Sequence, residues 1–242
     1  MGHFQTLRPA RSPQEHCPPR ALLPLALSAL ARPGSLLLCS VLLAPVLAAC
    51  APPQVSLTAG PGSYEPSDYK RVQSRWTREE SLTSIEELDN VLTATATFES
   101  PDFLSAYLVR TTHDYRLPPL SSEEARKRAQ EEAGSDHHFY VALYAQRQKD
   151  GDLLAENPAF VVHLVDDQGH EVAPSAVTHL RKVTARERAY FPYTTPFRTV
   201  YRLTFPARTP EGNALLSPGT RWFGLRFSGA QGQMTVTWQV EP

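Results

Sequence analysis

The residues that could do chemistry are few and scattered. Cys50 stands at the end of an apolar run, and as a thiolate it would be the strongest nucleophile in its neighbourhood, able to take up an electrophilic group. Cys17 and Cys39 lie upstream, so a chain beginning at Cys50 would hold one cysteine and no internal disulfide. Six histidines follow it, His113, His137, His138, His163, His170 and His179. The sharpest metal site they could form takes His163 and His179 from neighbouring strands with Asp166 or Asp167. Zinc needs ligands converging to about 2.0–2.2 Å, and no spacing here enforces that, so neither a metal nor another cofactor is expected. Asp166-Asp167-Gln168-Gly169 lacks the alternating oxygen ligands of a calcium loop and reads as a hairpin turn. No G-x-S-x-G, H-E-x-x-H or glycine-rich phosphate loop occurs after Cys50. The residues carry no catalytic signature, and the expectation is a protein that is not an enzyme.

The densest feature is Tyr190-Phe191-Pro192-Tyr193-Thr194-Thr195-Pro196-Phe197, four aromatics and two prolines in eight residues. It has two readings. Phe191, Tyr193 and Phe197 form a rigid loop that binds a sugar, a peptide or a partner protein, or Phe191 and Phe197 plug the open end of a sheet stack while the prolines stiffen a crossing.

The segment before Cys50 says more. Basic residues up to Arg32 are followed by Pro33, Gly34 and an apolar run from Ser35 to Ala49, short of the ~20 residues that span a bilayer and suited to a signal-peptide core. The run ends in Leu47-Ala48-Ala49-Cys50, which resembles the lipobox of bacterial lipoproteins. The resemblance implies diacylglyceryl transfer to the Cys50 sulfur and cleavage after Ala49, with Leu47, Ala48 and Ala49 as signal-peptidase recognition positions. Two or three acyl chains at about 0.8 kcal/mol per buried CH₂ would then hold the chain on a membrane through acylated Cys50. Ala51 in place of an aspartate after the cysteine implies an outer-membrane address in the bacterial envelope. The competing reading is an ordinary secretory leader cut after Ala51.

Composition bounds the rest. The chain has 242 residues, 41% hydrophobic and 20% charged, enough for one sizeable core. Residues 1–49 hold four arginines and one glutamate, so the remainder carries 20 basic against 24 acidic residues. No basic stripe offers itself to nucleic acid.

Three segments follow: a signal peptide over 1–49, a lipid anchor and flexible tether over 50–69 rich in Pro, Gly and Ser, and a β-sandwich over 70–242. Strand patterns fall at 91–98, 138–146, 159–166, 172–183, 199–206, 222–227 and 233–240, the last two closing as a hairpin around Gly229 and Gly232. About seven short strands predict a mainly β fold, an antiparallel immunoglobulin-like β-sandwich. Two helices are inserted after the first strand. Ser100-Pro101 starts one; Ser121 with Glu124 makes a capping box for the other, which stops at Gly134 and presents only Ala125, Ala129 and Ala133 as an apolar stripe.

The segments RWTR, SPDF-x-x-AY, FYVALY, the aromatic loop and RTVYRLTFP are together similar to uncharacterised lipoproteins of GC-rich soil and predatory bacteria, over most of residues 75–206. That resemblance implies a fold and an address and no activity. The expected role is a membrane-anchored envelope lipoprotein with a non-catalytic binding or scaffolding domain for an envelope protein or glycan. The alternative is a metal- or carboxylate-dependent hydrolase acting on envelope material, which needs residues such as His163, Asp166 and His179 to meet in one cleft. A carrier of an apolar ligand would need a closed barrel with an internal cavity.

Overall fold

The computed structural model describes residues 53–57, 60–84, 89–134 and 136–242. The chain divides into Met1–Cys50 and Ala51–Pro242. The first unit lies outside the described residues, and with it Leu47, Ala48, Ala49 and Cys50.

The second unit is mainly antiparallel β, two sheets packed as a sandwich, with nine strands among the described residues. The strands are β1 (Thr77–Thr83), β2 (Asn90–Phe98), β3 (His137–Ala145), β4 (Phe160–Asp166), β5 (Glu171–Val172), β6 (Ala176–His179), β7 (Thr199–Phe205), β8 (Trp222–Gly229) and β9 (Gly232–Gln239). One sheet has the order β1-β2-β3-β7-β6 and the other β5-β4-β8-β9. The helices are α1 (Tyr69–Trp76), α2 (Pro101–Asp114), α3 (Ser122–Ala133) and α4 (Ala185–Tyr190).

Period-two alternation decides which side chains meet between the sheets. Leu92, Ala94, Ala96 and Phe98 of β2 pair with Ala145, Leu143, Val141 and Phe139 of β3, and all face inward. Across the gap Phe223 and Trp238, cross-strand partners on β8 and β9, stack 5.2 Å apart, and Phe98 and Phe139 pack on them. Among the described residues this filled interior leaves two open sheets and no barrel.

Strand count departs from the expected seven at two places. The stretch 172–183 was to be one strand; instead β5 ends before Ala173-Pro174 and β6 joins the opposite sheet, because proline has no N–H for a ladder. β1 reads TREESLT, an edge strand without the apolar alternation that marks a half-buried one.

Both inserted helices form as expected. Ser100 Oγ accepts from Phe103 N at 3.1 Å, the Ser121–Glu124 capping box closes, and α3 ends on Gly134 at φ 58°, which glycine adopts without a Cβ clash. Two more helices were not anticipated. α1 buries Tyr69, Val72, Gln73 and Trp76, one helical face, and α4 starts on a Thr184–Glu187 capping box.

The expected tether over 50–69 is corrected in its described part. Val55 is 0% exposed and pairs with Val240 beside β9, and Tyr64 Oη donates to Asp102 at 2.5 Å. Asp102 also accepts from Trp76 Nε1 at 2.8 Å and from Gly62 N at 3.1 Å. A carboxylate with three donors holds a segment whose composition alone offers little to bury.

Candidate functional site

The outer face of the five-stranded sheet carries the site. Registers Tyr140↔Arg202 and His138↔Thr204 between β3 and β7 set these four side chains on the face opposite Phe139 and Leu203. Glu99, the residue after β2, joins them: its N donates to His138 O at 2.8 Å, immediately before Ser100 turns the chain into α2. α2 contributes Phe103, Leu104 and Tyr107, α3 contributes Glu132, and α4 with the residues flanking it contributes Thr184, Arg186, Glu187 and Phe191. Together these elements enclose a cleft of about 540 Å³, within the usual size of a small-ligand site.

Glu99 is 8% exposed, and its Oε1 accepts from Arg202 Nη2 at 3.0 Å. Burial raises its pKa; the Arg202 charge opposes this and the Glu132 charge adds to it. Tyr140 is 1% exposed, and among the described residues its hydroxyl has no hydrogen-bond partner. Burial, then the Glu187 charge, holds the phenol protonated far above its ordinary range, with Glu99 acting in the same direction and Arg202 against it. A buried hydroxyl left unpaired costs about 1–3 kcal/mol, so a fold that keeps one beside a cleft gains by a ligand that completes it. Burial also raises the Tyr107 pKa, and the Arg186 charge opposes this. The Arg186 guanidinium lies 4.9 Å over the Tyr115 ring. His138 Nδ1 is 3.2 Å from Thr204 Oγ1.

The aromatic loop is divided by the fold. Phe191 stacks on Tyr140 at 3.9 Å and walls the cleft. Tyr193 lies beneath, its hydroxyl 2.6 Å from Thr97 Oγ1, with its pKa raised by burial. Phe197 is 79% exposed and takes no part in the cleft or in a plug. Of the three expected binding residues only Phe191 lines the cleft. Glu99, Tyr140 and Arg202 were missed, because each looks like one polar residue at the end or middle of a strand.

The histidine and acid set of the hydrolase alternative does not assemble. His163 on β4 and His179 on β6 belong to different sheets, and no group of three metal-ligating side chains occurs among the described residues. His163 Nδ1 faces Glu171 at 3.5 Å, and His179 packs on Tyr201. Asp166 is a turn residue, as expected: Oδ1 accepts from Gln168 N at 2.9 Å and His170 N at 3.0 Å, and Oδ2 meets His170 Nδ1 at 2.7 Å. A second cavity of about 180 Å³, walled by Trp76, Phe98, Asp102 and His137, holds the buried His137 Nε2, which has no partner among the described residues.

None of the described helices is long and apolar enough to cross a membrane. Comparison with known proteins finds no matching family, no matching curated protein and no matching solved structure.

Proposed function

We propose that this chain is a bacterial envelope lipoprotein, held on a membrane, the outer one, through acyl chains on Cys50, whose β-sandwich is a non-catalytic binding domain with its ligand site in the Glu99–Tyr140–Arg202 cleft. The observation that carries the binding reading is the Tyr140 hydroxyl, buried and unpaired in a cleft that also holds an ion pair and aromatic walls. Leu47-Ala48-Ala49-Cys50 after an apolar run supports the anchor. The reading includes an immunoglobulin-like kind of sandwich, supported by antiparallel pairing throughout both sheets and by three crossings between them.

Two measurements test it. The mass of the N-terminal peptide from native membranes is expected to begin at acylated Cys50 and to lose the acyl mass in Cys50→Ser; an unmodified start at Pro52 overturns the anchor. For the cleft, the chain is labelled with 3-fluorotyrosine and mixed with envelope extract. Fluorine resonances of Tyr107 and Tyr140 are expected to shift, whereas shifts confined to Tyr115 and Tyr144 would place the binding surface elsewhere.

A further inference from the structure

The charges lining the cleft differ in how far they are already used. Arg202 Nη2 is bound to Glu99 Oε1, and the Arg186 guanidinium lies over the Tyr115 ring. Each guanidinium therefore already has one partner. Two carboxylates keep acceptor capacity: Glu132 makes no ion pair among the described residues, no described group bonds Glu99 Oε2, and the Glu132 charge acts on Glu99. Glu187 is spent in part, its Oε2 accepting from Thr184 N and Oγ1 at the start of α4. Carboxylates thus outnumber guanidiniums three to two in the lining, and the Tyr140 hydroxyl, uncharged and nearly fully buried, adds an oxygen that can accept as well as donate. The remaining wall is apolar and aromatic, with Phe103 and Tyr107 stacked 6.0 Å apart and Phe191 5.9 Å from Phe103.

We propose that the cleft seats a primary ammonium group between the carboxylates of Glu99 and Glu132, with the apolar body that carries it against Phe103, Tyr107 and Phe191. The assignment rests on the cleft being the ligand site. An ammonium has three donors and no acceptor, so it matches Glu99 Oε2, Glu132 and the Tyr140 oxygen, and it relieves the repulsion between the two carboxylates. Ring faces near the ammonium add a cation–π attraction that neither an alcohol nor a carboxylate would gain. A carboxylate ligand would instead add a fourth negative charge to a lining that already holds three.

The test uses the full chain in lipid nanodiscs, with three probes of like shape, 2-phenylethylammonium, 2-phenylethanol and 3-phenylpropionate, titrated by calorimetry against empty nanodiscs. The ammonium is expected to bind about tenfold more tightly than the alcohol, the factor one well-placed charged hydrogen bond supplies. Glu132→Gln, on the exposed side of α3, is expected to remove most of that preference and leave the alcohol unchanged. Tyr140→Phe should weaken the ammonium while the fold is retained. Tightest binding of phenylpropionate, or equal binding of all three, overturns the ammonium assignment and leaves the cleft as a ligand site. Absence of binding by every probe overturns the ammonium assignment, and the cleft reading is then decided by the fluorotyrosine shifts in envelope extract.

Discussion

The rings of Tyr140 and Phe191 lie face to face, 3.9 Å between centroids and within 8° of parallel. Tyr140 belongs to a central strand and Phe191 follows a short helix, so this contact fastens the α4 segment over the sheet and forms one wall of the cleft.

Phe191→Ala is expected to cost about 3–4 kcal/mol, because the ring is buried against Tyr140, Phe103 and Tyr193 and its loss leaves a cavity. Phe197→Ala should change stability by less than about 0.5 kcal/mol, as that ring is in solvent. Urea unfolding of both variants checks the contrast, and equal effects would contradict the division of the aromatic loop.

Asp102→Ala removes the acceptor shared by Gly62 N, Tyr64 Oη and Trp76 Nε1. Leaving such donors unpaired should cost about 2–4 kcal/mol. Limited proteolysis is expected to cut faster between residues 53 and 66 in the variant, since this carboxylate ties the segment to α2.

Burial lowers the His137 pKa from 6.5 to about 4, so the folded chain prefers the neutral ring. Its contribution is complete above pH ~6.5 and is lost as pH falls towards ~4, a loss of up to about 3 kcal/mol. Glu99 has the opposite sign: its raised pKa favours the fold at low pH and that gain fades as pH rises past ~4.5. Chemical denaturation across pH 4–7 in a Glu99→Gln background isolates the first effect, and His137→Phe should flatten the curve.

Gly229→Ala places a methyl 2.0 Å from the Ala159 carbonyl oxygen and 3.0 Å from the Phe160 ring. The β4–β8 ladder must part there, at a cost of at least about 2 kcal/mol. A lower thermal midpoint with intact secondary structure is expected by circular dichroism.

Local signals in the chain determined local structure. Ser100-Pro101, the Ser121–Glu124 box, Gly134 and the Gly229–Gly232 hairpin were each legible, because caps and tight turns depend on residues a few positions apart. The box at Thr184–Glu187 has the same spacing and would have marked α4. The threonines of β2 look like a solvent face, yet Thr93, Thr95 and Thr97 are buried; Tyr193 bonds Thr97 and Arg198 bonds Thr95. Alternation separates the two faces of a strand and does not say whether anything covers the polar one.

The cleft was decided by the tertiary structure. Tyr140 and Arg202 come from two strands and Glu99 from the residue after a third, and they meet only through the registers of β2 on β3 and β3 on β7, while Phe191 reaches them because α4 folds back over that face. Hydrophobic periodicity along one strand contains no information on its neighbour's register, which turn geometry and the packing of Phe98, Phe139 and Leu203 set together. What the chain by itself determined is its β-rich class and its caps and turns. Where its polar groups converge depended on contacts between residues far apart in sequence, whose energies exist only once the core has closed.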